Sequence, residues 1–157
     1  MKNKTRTHED FSIILTKIAL LLALIVGLWL TLEGPFIVRQ IMLLPGGYFV
    51  GRLRFYFLLI SGYMVAVIGV LCIYYLYKLV NNIGHEIVFV AENVRYLQII
   101  GWLTLSFTII ALACGFTCYD PIQYLGYMAG FMFLIIRVVR NIFGKAVEMQ
   151  NELDYTV

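Results

Sequence analysis

The chain has 157 residues, of which 62% are hydrophobic and only 13% charged, with a mean hydropathy of +0.88. A soluble domain carries about 25% charged residues, so this composition excludes an ordinary soluble enzyme or binding module and points to an integral membrane protein of a single domain, 1–157. The net charge of +3 is too small to indicate a nucleic-acid-binding surface, and direct nucleic-acid binding is not expected.

A membrane-spanning helix needs roughly 20 apolar residues, and the chain holds four such runs. The first covers about 11–32, with Lys17 placed to snorkel at one end and Trp29 in an aromatic-belt position at the other. It is too long for the apolar core of a signal peptide and no A-x-A-like cleavage site follows, so it is expected to be retained as a span. A second run covers about 55–80 and ends in Tyr74, Tyr75, Tyr77 and Lys78. The third covers about 97–117. The fourth covers about 122–140, entered through the hairpin "CYDP", where Pro121 suits the first turn of a helix and Asp120 suits a turn or cap.

The segment between the first two spans, "PFIVRQIMLLPGGYFVGRLR", is too oily for a solvated loop. Its apolar part before Pro45 would reach only about 15 Å as a helix, so it is expected to lie along the membrane interface. Pro45, Gly46 and Gly47 then turn the chain. Arg39, Arg52 and Arg54 are expected to snorkel or to contact anionic headgroups.

After the fourth span the helical pattern continues. Val139, Ile142, Phe143, Ala146, Met149 and Leu153 recur at spacings near 3.6, with Arg137, Asn141, Lys145, Glu148 and Glu152 on the other side. A helix from Ile122 to Leu153 would be about 48 Å long against a hydrocarbon core of about 30 Å. Residues 141–157 are therefore expected to form an amphipathic tail beyond the membrane. The basic residues set the orientation. Lys2, Lys4, Arg6, Lys17, Lys78, Arg95, Arg137, Arg140 and Lys145 fall on one side, and only Arg39, Arg52 and Arg54 on the other. The positive-inside rule puts both termini and the tail in the cytoplasm. The expected fold is all-α, a four-helix transmembrane bundle in the cytoplasmic membrane.

Within "VFVAENVRYLQIIGW", residues 88–102, Glu92, Asn93 and Arg95 stand just before the third span. Together with Lys145, Glu148, Glu152 and Asp154 of the tail they are candidates for a partner-binding face. The competing reading is a boundary role, with Glu92 and Asn93 favouring or capping a helix start and Arg95 anchoring it at the interface. Gly62, Ala66 and Gly69 form a small-residue stripe on the second span, and Gly126 and Gly130 form a G-x-x-x-G on the fourth. Such stripes let helix backbones approach closely, either within one chain or between copies.

Nothing in the pattern calls for catalysis, a metal or a cofactor. Cys72, Cys114 and Cys118 have no zinc or redox spacing, and His8 and His85 are far apart. No G-x-S-x-G, H-E-x-x-H or phosphate loop occurs. Thr104, Ser106 and Thr108 are hydroxyls suited to bonding back to helical carbonyls. No acid, His or Lys sits in the middle of a span, which argues against a pump or a coupled transporter.

The residues Phe89, Glu92, Asn93, Val94, Leu97, Ile100 and Gly101, the stretches "RLRFYFLLISGY" and "YKLVNNI", and the terminal Asp154, Thr156 and Val157 together carry a family resemblance. The chain resembles the bacterial four-helix integral membrane family known as domain of unknown function 2975, over almost its whole length. It departs at Tyr155, where Leu is more usual, and in a weakly polar loop before Phe89. The resemblance implies no activity or ligand. It does imply a non-enzymatic, multi-pass protein encoded near a small helix-turn-helix regulator of the Xre/Cro type, hence a cytoplasmic regulator as a partner. The alternative function is a small-molecule or lipid-handling membrane protein, such as an immunity or export accessory factor, working through its arginine-bearing outer loop.

Overall fold

In the computed structural model the backbone is described for residues 2–85 and 87–155, and side chains for 11–85 and 87–153. The described residues are helical with short connections: α1 Lys2–Leu32, α2 Gly34–Met42, α3 Gly51–Gly84, α4 Ala91–Thr117 and α5 Pro121–Tyr155. Four of them contain segments long and apolar enough to cross a membrane: Phe11–Leu32, Gly51–Gly84, Ala91–Thr117 and Pro121–Leu153. The protein is a multi-pass membrane protein, and its large exposed apolar side chains, such as Leu22, Trp29, Val67 and Phe131, are the surface that a bilayer covers.

The spans begin and end beyond the expected apolar runs. α3 starts at Gly51 and α4 at Ala91, because helix propagation adds a backbone hydrogen bond per residue whatever the polarity of the side chain. The oily segment before Pro45 is indeed helical, as α2. Arg54 closes its C-terminal end and the turn beyond: Nη2 donates to Ile41 O at 3.4 Å and Nη1 to Leu44 O at 3.2 Å. Arg54 is only 7% exposed. The expectation that it snorkels or meets headgroups is corrected: carbonyls at a helix end retain acceptor capacity that draws a nearby guanidinium inward. Arg39 and Arg52 are exposed.

The four spans of the expected bundle pack as an open row, α1–α3–α4–α5. Backbones approach within 8 Å between α1 and α3, α3 and α4, and α4 and α5, and α2 lies on α3 and α1. Neither α1 with α4 or α5, nor α3 with α5, comes that close among the described residues. Short connections make each span the neighbour of the next, and lipid offers no hydrophobic drive to close the row into a ring.

The α4–α5 hairpin is the most extensive helix pair. A Cβ added at Gly115 would lie 2.5 Å from the Gln123 backbone nitrogen, and one at Gly126 would lie 2.8 Å from the Leu112 side chain. Gly130 faces Thr108 at 3.4 Å. The G-x-x-x-G of α5 thus meets α4 of the same chain. The stripe on α3 is different: at Gly62 and Gly69 an added Cβ meets nothing within 4 Å, so no close intrachain approach uses them. At the α2 end, the turn after α2 lies over the tip of α4. Gly47, with φ +83°, presses on the Cys118 backbone, and Phe49 N–H donates to Thr117 O at 2.9 Å. Cys114 and Cys118 are buried free thiols there.

Gly115→Ala is expected to destabilise the protein by about 2 kcal/mol, since the obstructing atoms are backbone and cannot rotate away. Gly62→Ala should be neutral or gain up to ~1 kcal/mol from helix propensity. Thermal unfolding of both variants in detergent checks the contrast.

Candidate functional site

Two features stand out, one at each end of the row. The first is a polar junction where α3 hands over to α4. α3 ends at His85, whose backbone N–H donates to Asn81 O at 3.2 Å and to Asn82 O at 3.1 Å. Its Nδ1 lies 2.7 Å from Asn81 O, which only a protonated Nδ1 can satisfy. The chain then runs to Val90, the extended N-cap of α4, which makes no side-chain cap bond.

Asn93 holds this turn together. Its side chain is 0% exposed. Nδ2 donates to Ile87 O and Val88 O, both at 2.8 Å, and Oδ1 accepts from Asn82 Nδ2 at 2.8 Å. Both amide protons and the carbonyl are therefore used, which offsets the cost of burying a carboxamide. The expectation that Asn93 caps α4 or forms part of a partner face is corrected. Its position in the first turn aims the amide back at the loop carbonyls, not at solvent.

Around it lies a belt of tyrosines and cations. Lys17 of α1 donates to Asn81 Oδ1 at 2.8 Å and sits 5.7 Å from the Tyr77 ring centre. This tie joins the peripheral helix to α3, with Ile13 packed against Gly84 beside it. Lys78 lies over Tyr74 and Tyr96 at 5.0 and 5.6 Å. Tyr96 donates to Glu92, so the acid engages the tyrosine one turn on. Leu79, Tyr96 and Leu97 are buried beneath, flanked by Val139 and Phe143 of α5. Phe89 of the loop meets Phe143, with ring centres 5.9 Å apart.

Of the sequence candidates, Glu92 and Arg95 are exposed on the first turns of α4, and Lys145, Glu148 and Glu152 are exposed on α5. The side chain of Asp154 and the terminal Thr156 and Val157 lie outside the described residues. Sequence reading missed Asn82, Asn81 and Lys17 as partners. An Asn-Asn pair closing an oily span was the available signal, because a carboxamide at a membrane boundary needs a partner.

The second feature is an apolar cleft of about 460 Å³ at the α2 end. α3 forms its floor through Leu58, Gly62 and Ala66. The C-terminal part of α1 and α2 form one wall, and α4 and α5 the other, with Phe107 and Leu125 among the lining residues. The cleft exists because α1 and α2 rest on α3 without reaching α4 or α5. Its volume falls in the range of small-molecule sites, roughly 300–1,000 Å³. Among the described residues, no group of three His, Cys, Asp or Glu side chains comes together at metal-binding distance.

Loss of the junction should be visible in stability. Asn93→Ala leaves two loop carbonyls and the Asn82 amide short of a partner, and should cost about 2–4 kcal/mol. Asn82→Ala should cost about 1 kcal/mol, and the double variant should fall short of additivity by about 1 kcal/mol. Unfolding in detergent of the two single variants and the double variant measures this coupling.

No curated protein and no solved structure matches the chain. A family model matches residues 52–157, from the first turn of α3 through α5, a stretch that includes the whole polar junction. On that match the chain belongs to the family described as protein of unknown function DUF2975.

Proposed function

We propose that the protein is a non-enzymatic regulatory protein of the bacterial cytoplasmic membrane, with both termini inside, that holds a small cytoplasmic helix-turn-helix regulator at the bilayer. The observation that carries this reading is the unbroken α5. Its 35 residues extend ~52 Å, well beyond a hydrocarbon core of ~30 Å.

Past Arg140 the helix is two-faced. Ile142, Met149 and Leu153 are 60%, 59% and 69% exposed and fall on one side. Lys145, Glu148 and Glu152 fall on the other. An exposed apolar stripe on a helix that has left the bilayer is the surface that a partner helix or groove covers. The junction sits beside it through the Phe89–Phe143 contact, so a change in helix packing at Asn93 would reach the partner surface. A signal would act by binding one packing arrangement better than the other. The orientation is supported by nine Lys and Arg on the α5-tail side against three on the α2 side.

Two experiments test this. In cells, on a background with Cys72, Cys114 and Cys118 replaced, an impermeant thiol reagent should label a cysteine at Tyr48, which is 87% exposed, and spare one at Asn151. The reverse pattern inverts the topology. Deleting residues 148–157 leaves α5 from Pro121 to Val147, ~40 Å, still long enough to span. The truncated protein should insert normally but release a tagged helix-turn-helix regulator from the membrane fraction. If the regulator sediments equally with both forms, or with neither, the reading fails.

A further inference from the structure

The apolar cleft at the α2 end plays no part in the regulator reading, and it has properties that specify an occupant. It lies within the membrane-crossing stretch of α3, since its floor residues Leu58, Gly62 and Ala66 begin about 10 Å along the helix from Gly51. Its lining is predominantly apolar, with the hydroxyls of Thr31, Ser61 and Tyr63 as its few polar groups, too sparse to hold a file of waters. A space of this kind at hydrocarbon depth is filled from the bilayer.

The charge above it narrows the occupant further. Arg52 and Leu59 are seven residues apart on α3, and therefore share a face with Arg52 about 10 Å nearer the helix start. Leu59 lines the cleft. Arg52 is exposed, and no hydrogen bond or ion pair reaches it among the described residues. Arg54, two residues on, is already committed to the carbonyls of Ile41 and Leu44. An apolar slot with an unengaged guanidinium on the same helix face, toward the start of α3, complements an acyl chain bearing a phosphate. We propose that the cleft holds one acyl chain of a membrane phospholipid whose phosphate is bound by Arg52.

The glycine at the floor supplies a clean test. A Cβ added at Gly62 meets nothing within 4 Å, and Gly62 lines the cleft, so Gly62→Phe adds bulk to the cleft from an uncrowded backbone position. Ala66→Leu is a milder filling variant should Gly62→Phe insert poorly. Val67→Phe, at a 61% exposed position outside the cleft, is the control.

Full-length protein is stripped of lipid by detergent exchange and titrated with dioleoyl phosphatidylglycerol. Native mass spectrometry then counts lipid retained per chain. The wild type and Val67→Phe should retain one molecule tightly. Gly62→Phe and Ala66→Leu should bind at least about tenfold more weakly, and Arg52→Gln about tenfold more weakly. Dioleoylglycerol, which lacks the phosphate, should bind weakly to the wild type and equally weakly to Arg52→Gln. Retention that is undiminished in both filling variants, or no lipid retained by the wild type, overturns the site. A wild-type dimer that Gly62→Phe converts to monomer shows that a second copy covers the cleft instead. Undiminished phosphatidylglycerol retention in Arg52→Gln removes the phosphate assignment.

Discussion

Between α3 and α4 the chain reverses while two consecutive loop carbonyls point inward, and the Asn93 carboxamide is what satisfies them. Away from water a bare carbonyl costs more than a hydrogen bond is worth. The turn can therefore keep its shape only while that amide is present and itself fully used. Asn82 completes it from α3, and the neighbouring Asn81 passes the connection on to Lys17 of α1. Three helices thus converge on adjacent asparagines. The α4–α5 pair, the aromatic belt and the position of the loop beside Phe143 all build outward from this point.

The rest of the row is held by a different kind of contact. α4 and α5 approach closely because Gly115, Gly126 and Gly130 remove the side chains that would separate them, which is how helices associate when lipid competes equally for apolar surface. α1 has no such close contact with α4 or α5. It is tied to α3 by Lys17, and the cleft lies between its C-terminal part and α4. The row is firm from α3 to α5, the part that the family match covers, and open toward α1 and α2.

The two ends consequently differ in chemistry. One is a closed polar lock under a tyrosine belt, next to the long helix α5. The other is an apolar slot bordered by the short helix α2, whose C-terminal end Arg54 bonds.

Much of this was legible in the residues. Four apolar runs, the helical stretch before Pro45, the unbroken pattern from Ile122 into the tail and the back-bonded hydroxyls of Thr104, Ser106 and Thr108 follow from periodicity and local hydrogen bonding. These are properties of a segment by itself, so no partner is needed to read them. The inward turn of Asn93 and Arg54, the lock on α1, the open row and the cleft were not legible in this way. Each depends on which carbonyl, amide or glycine of another segment arrives opposite. In lipid that arrival is decided by close packing and polar satisfaction rather than by hydrophobicity, which is nearly the same on every face of these helices. Composition and pattern were enough for the spans and their lengths; only the tertiary structure could decide which polar groups face one another and where the helices leave a gap.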